Sequence, residues 1–179
     1  PVTTDILAQL RGLRQSRRFL DTPVPAADLA TILDIARWTG SAKNTQPWEF
    51  IVVDDRATNV NLSETAPFTG FLANVPLSIV IVLDGDSRSV PYDEGRVSER
   101  IMLAAQALGL GSGTGWFGTP ESRETVRDLL GIPPDKTAWS AVGLGYTDSS
   151  QPQSTLSGRK PLSDLVSYGH YGNRSATGS

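Results

Sequence analysis

Apolar positions recur at helical spacing from about Asp5 to Leu13, where Ile6, Leu10 and Leu13 share one face and Thr3 or Thr4 is placed to cap. The period returns from about Pro25 to Trp38, written by Leu29, Ile32, Leu33 and Ala36 behind a proline suited to a first helical position. Phe50-Ile51-Val52-Val53 is then a short unbroken apolar run closed by Asp54-Asp55. That pattern predicts a strand buried on both faces, and the core sheet is expected to begin there. Residues 55–75 carry no clear period, and only Phe68, Phe71 and Leu72 anchor them. The segment reads as irregular or briefly helical, either a lid over a pocket or a surface connection.

Leu77 to Leu83 is the second predicted strand, closed by Asp84-Gly85-Asp86. The strongest helix spans about Asp93 to Leu108, with Val97, Ile101, Ala104, Ala105 and Leu108 in register and Gly109 as its C-cap. Gly113-Thr114-Gly115-Trp116-Phe117-Gly118 satisfies G-x-G-x-x-G. A dinucleotide loop needs a hydrophobic strand just before it, and the preceding residues are helix-periodic instead. The glycines are therefore read as a strand along which another group packs closely. Thr119 caps a helix with Pro120 at its first position, ending near Leu130 before Gly131. Trp139 to Tyr146 is the last core strand; a polar linker (Thr147 to Ser157) leads to Gly158-Arg159-Lys160-Pro161 and a helix-prone piece from Leu162 to Val166. There is no internal repeat.

Composition narrows the function classes. The 179 residues suit a single domain covering 1–179, and 39% apolar with 20% charged residues is a globular balance. With no cysteine, thiolate nucleophiles, iron-sulfur clusters and the usual structural zinc sites are excluded, so any redox chemistry needs a bound cofactor. The single histidine, His170, lies in a Gly- and Ser-rich tail, which argues against a catalytic triad or a multi-histidine metal site. A net charge of -3 offers no general attraction to nucleic acid or anionic lipid. No apolar run has the length of a membrane span and no signal pattern is visible, so a cytoplasmic protein is expected.

Two stretches concentrate candidate chemistry. Ser41-Ala42-Lys43-Asn44-Thr45-Gln46-Pro47-Trp48 puts small and amide-bearing side chains between a helix and a strand; Gly40 frees the backbone before it, and Pro47 biases Gln46 towards an extended conformation. Such a loop can approach a planar ligand, or it is a helix C-cap followed by a structural tryptophan. In Arg14-Gln15-Ser16-Arg17-Arg18-Phe19, an extended backbone points Arg14, Ser16 and Arg18 the same way. Two guanidinium groups flanking a hydroxyl suit a phosphate monoester, and equally describe a solvated basic patch after a helix.

Taken in order, the R-x-S-x-R segment, the S-x-x-N-x-Q-P-W loop, the glycine-rich strand after an alanine-rich helix and the C-terminal R-K-P resemble the FMN-dependent nitroreductase family. The likeness runs from Leu10 to Val166, and the S-x-x-N-x-Q-P-W loop is its most specific part. It implies an α+β fold, a central mixed sheet flanked by helices, and an intertwined homodimer with one FMN at each of two shared sites. It implies that Arg14 and Ser16 hold the FMN phosphate, with Arg159 reaching it from the C-terminal segment and Gln15 beside the ribityl chain. Arg18 would approach the N1 and O2 edge of the ring, where its cation stabilises the charge gathered on reduction. From the other subunit, Ser41, Ala42 and Asn44 would line the ring and ribityl, while Trp116 and the backbone amide of Gly118 face the N5 side. No catalytic acid or base is assigned, and no metal site.

The implied activity is NAD(P)H-dependent flavin oxidation-reduction by ping-pong exchange, with NADH or NADPH as donor and an electrophilic small molecule, such as a nitroaromatic or quinone, as acceptor. A different class is a protein that sequesters FMN without turnover, its ring blocked by Trp116 or by the segment around Phe68 and Phe71. Flavin fragmentation and reductive dehalogenation are further options, which a short lid region disfavours. The chain departs from the family pattern at Gly40, where a proline is usual, in the short stretch from Asp55 to Asn74, and in the Gly- and Ser-rich end beyond Ser167.

Overall fold

The structure, a computed structural model, describes residues 2–85, 90–148, 150 and 158–174. Asp86, the linker residues 151–157 and the tail residues 175–179 lie outside the described residues. The chain separates into two units, Pro1–Asp148 and Ser149–Ser179. In the first, α1 (Val2–Gly12), α2 (Ala26–Arg37), β1 (Trp48–Val53), α3 (Arg56–Ser63), β2 (Leu77–Asp84), α4 (Val90–Ala107), β3 (Gly111–Trp116), α5 (Pro120–Leu130) and β4 (Lys136–Gly145) follow one another; short 3₁₀ turns stand at Ala42–Asn44 and Gly70–Asn74. In the second, α6 (Leu162–Leu165) is a single turn.

The four strands form an α+β core in the order β1-β2-β4-β3. All three strand pairs are antiparallel. The parallel component expected of a mixed sheet is, among the described residues, the isolated bridge between Gln15 and Ser112. Both faces are covered, which is why β2 reads as a continuous apolar run rather than an alternating one. Leu77, Ile79, Ile81 and Leu83 point to the layer carrying Ile32 and Ala36 of α2 with Val97 and Ile101 of α4. Val80 and Val82 point to the opposite layer, with Leu62 of α3, Leu72 and Val126 of α5. Each such fully buried aliphatic side chain contributes about 1.5 to 3 kcal/mol. The register shift between Ile81 and Val82 leaves Trp139 as the extra residue on β4.

Residues 55–75 are briefly helical, as expected, with α3 and the 3₁₀ turn at Gly70–Asn74. Asp55 caps α3 by accepting from the Thr58 amide at 2.7 Å. Within that helix Asn59 is buried: Ser78 Oγ donates to its Oδ1 at 2.6 Å, and its Nδ2 donates to the Val53 carbonyl at 3.2 Å. A polar anchor joins α3 to β1 and β2, so an apolar period fails to announce the helix. α1 also differs from expectation. It begins at Val2, so Thr3 and Thr4 fall inside it, and Ile6 and Leu10 are about half exposed rather than core. By contrast, Thr119 caps α5 by accepting from Ser122 N, and Gly131 ends it at φ 65° as the sequence requires.

Glu94 of α4 is buried against β4, where the Ser140 hydroxyl donates to its carboxylate. Burial pushes its pKa above the ordinary 4.5, the serine bond only partly opposing this. The folded state therefore holds the proton more tightly than the unfolded one. The associated stability is complete below the unfolded value and is lost as pH rises through the folded one. Glu94→Gln is expected to flatten the fall in thermal stability as pH is raised from about 4.5; melting curves of both proteins across that range check it, and parallel curves would refute it.

Candidate functional site

The basic segment lies along the glycine strand. Ser16 N donates to Ser112 O at 2.6 Å beside the Gln15–Ser112 bridge. Gln15 Oε1 accepts from Thr114 N at 3.2 Å and from Arg17 Nη2 at 2.7 Å, and Arg17 Nη2 also donates to Thr114 O at 3.1 Å. A Cβ at Gly113 would collide with Ser16 O and the Arg17 guanidinium, and one at Gly111 would collide with the Thr147 methyl. The group that the glycines admit is the chain's own residues 15–17.

Within this segment the side chains divide. Arg14 is exposed, and its Nη1 donates to Arg11 O at 2.9 Å and Leu13 O at 2.7 Å, closing the end of α1. Ser16 is half-buried and Arg18 exposed, with Arg18 O accepting from Asp148 N. Arg17 is the residue that pattern reading passes over. Its guanidinium lies 4.4 Å over the Phe71 ring, and burial lowers its pKa. Simple alternation does not describe the segment: the Ser16 side chain lies against Gly111 while the Arg17 guanidinium lies against Gly113, on the same face of β3.

The Ser41 loop is closed on itself. Ser41 Oγ accepts from Gln46 N at 2.8 Å, and Ser41 O accepts from Asn44 N at 3.1 Å. Lys43, Asn44 and Gln46 all adopt left-handed backbone, at φ 53°, 55° and 48°. Gln46 was expected to be extended before Pro47; the Ser41 clasp overrides that bias. Non-glycine residues in this region cost on the order of 1 to 3 kcal/mol each, and such strain clusters at ligand sites. α2 does not use the loop as its cap, because Thr39 donates its amide and hydroxyl to Ala36 O. Trp48 is buried in the core, as the structural reading required. A Cβ at Gly40 would stand 2.8 Å from Arg96 Nη2, the movable end of that side chain.

At the end of β3, Trp116 and Gly118 are exposed. The Trp116 indole lies against Gly118, where a Cβ would be 2.7 Å from its Nε1. Trp116 also packs on Trp139, with centroids 5.5 Å apart. The outer strands β1 and β3 are three strand spacings apart, about 14 Å. Ser41, Ala42 and Asn44 precede one outer strand while Arg14, Gln15, Ser16, Trp116 and Gly118 gather along the other. In the second unit Arg159 is exposed and donates to Gly158 O at 2.8 Å, and His170 lies in an exposed turn. Among the described residues no group of three or more His, Asp or Glu is placed to hold a metal ion, and no helix is long and apolar enough to cross a membrane.

The sequence model of the nitroreductase family matches residues 10–67, which include both the basic segment and the Ser41 loop. A protein of Archaeoglobus fulgidus, provisionally named NADH dehydrogenase/NAD(P)H nitroreductase, is 37% identical over 150 residues, covering 79% of this chain and 85% of its own length. The solved FMN-dependent nitroreductase of Clostridium difficile R20291 superposes with a TM-score of 0.83 at 28% identity, over 92% of this chain and 99% of that one. The NADPH:FMN oxidoreductase of Vibrio harveyi, solved with NAD+, shares the fold at 20% identity and a TM-score of 0.81, over 92% of this chain and 77% of that one. With this fold, both segments in place and a relative matched along most of its length, the chain belongs to the nitroreductase family.

Proposed function

We propose that the chain is an FMN-dependent NAD(P)H oxidoreductase, working as a homodimer whose two flavin sites are each shared between copies. The observation that carries this reading is the cradle along β3. Ser16 lies against Gly111 and Ser112, with Arg14 two residues before it, and the exposed Trp116 stands five residue steps from Gly111, about 17 Å along the strand, with Gly118 just beyond. A ligand with a charged tail and a planar head fits that order. The C. difficile relative, FMN-dependent by name, supports the same cofactor here.

In this reading Arg14 and Ser16 would hold the phosphate, Gln15 would lie beside the ribityl chain, and the Arg18 cation would stabilise charge gathered on the ring. Gln15 is pre-positioned, since Arg17 and Thr114 already fix its Oε1. FMN bound there would supply the redox chemistry, a ping-pong exchange between NADH or NADPH and an electrophilic acceptor such as a nitroaromatic or quinone. The backbone N–H of Gly118 and the Trp116 ring orient that face. Ser41, Ala42 and Asn44 come from a second copy, because within one chain they lie at the far edge of the sheet. The exposed faces of α1 (Ile6, Leu7, Leu10) and of Ile35 and Trp38 give a second copy apolar surface to cover.

One observation favours storage without turnover: the exposed Trp116 indole lies against Gly118, at the end of β3 that would face the ring. Phe71, the other candidate blocker, is committed to packing beneath Arg17. Anaerobic titration of the yellow protein separates the two readings; bleaching by NADH or NADPH is expected, and a flavin that stays oxidised in excess of both supports storage.

Two further outcomes are expected. Arg14→Ala weakens FMN retention by about 1.5 to 3 kcal/mol, the usual cost of a charge-assisted contact, and an unchanged dissociation constant would contradict the phosphate assignment. Sedimentation gives a dimer that retains FMN, whereas a stable monomer with full flavin occupancy excludes the shared site.

A further inference from the structure

We infer that Arg123 of α5 is a positioning residue for the flavin-facing end of β3, holding the Gly118 amide outward and the Trp116 ring in place; this rests on the flavin reading above. Arg123 Nη1 donates to Phe117 O at 3.4 Å and to Gly118 O at 3.2 Å. Its guanidinium lies 4.0 Å over the Trp139 ring, and Trp139 in turn packs on Trp116. One cation therefore grips two consecutive carbonyls and the aromatic pair beside them.

The orientation follows from peptide geometry. The Phe117–Gly118 bond is trans, so its C=O and N–H point in opposite directions. With Phe117 O turned to Arg123, the Gly118 N–H points away from α5. The neighbouring groups allow little rotation. Phe117 N donates to Trp139 O at 2.8 Å, and Thr119 caps α5 through Ser122 N, whose own hydroxyl donates to Thr65 O at 2.8 Å. A cation on the carbonyl also polarises the peptide, making its N–H a stronger donor. Gly118 itself must lack a side chain because the Trp116 indole occupies that space. The phosphate grip is at the other end of β3, so Arg123 acts on ring orientation and not on retention.

The test compares Arg123→Gln and Arg123→Lys with wild type in the full chain. Without flavin, the Gly118 amide resonance is expected to move in the Gln variant and its exchange with solvent deuterium to change about tenfold, the Lys variant restoring part of both. With FMN bound, anaerobic reduction by NADH or NADPH is expected to slow about tenfold in the Gln variant while the FMN dissociation constant stays within about twofold. A Gly118 amide unchanged in both variants overturns the proposal, as does a loss of FMN affinity that matches the loss of rate. Should the Gln variant fail to fold, the Lys variant decides by the same readings. Wild-type protein that binds no FMN refutes the flavin reading instead, and the Gly118 comparison in the unliganded chain still decides for or against the clamp.

Discussion

The pairing of residues 15–17 with β3 is the constraint on which the candidate site depends. It brings the Ser16 amide to 2.6 Å from Ser112 O and fills the space above Gly111 and Gly113. Any side chain at Gly113 would push the segment off, and with it would go the Arg17 contacts to Thr114 and Phe71. Glycine in a strand usually weakens it; here the loss is offset by a backbone approach no other residue allows. The exposed Arg14 and Arg18 flank this segment, which is held to the sheet by bridges at Gln15 and Phe19. The short strained turn at Ser41 achieves similar fixity by another route, a hydroxyl clasp that holds three non-glycine residues in left-handed backbone.

Much of this was legible in the chain. β2 announced itself because both of its faces are buried, and α5 because its cap, first proline and terminal glycine each do what their chemistry favours. The close-packing role of the glycine strand could also be read from its failure to be a phosphate loop. What could not be read is instructive. α3 is tied down by Asn59 and Ser78, and a helix held by a buried polar pair leaves no apolar period to find. α1 differs in another way, since Leu13 at the end of its apolar stripe packs on the core while Ile6 and Leu10 stay about half exposed in the single chain. Gln46 illustrates a local preference, set by the following proline, losing to a hydrogen bond from five residues earlier.

The arrangement of the candidate residues also carries meaning. A single copy carries Gln15, Ser16, Trp116 and Gly118 along one outer strand and the amide-bearing turn beside the other, with β2 and β4 between. A ligand touching all of them must draw on two copies, one edge from each. On α1, Ile6, Leu7 and Leu10 are about half exposed or more in the single chain.

Complementation between two defective copies tests this most directly. Co-expressed Arg14→Ala and Asn44→Ala chains, each poor at holding FMN alone, form a mixed dimer in which one site takes both defects and the other none. The shared-site account predicts that the purified mixed dimer regains close to one FMN per two chains. A mixed dimer no better than either parent would contradict it, because sites built within single chains would each keep one defect.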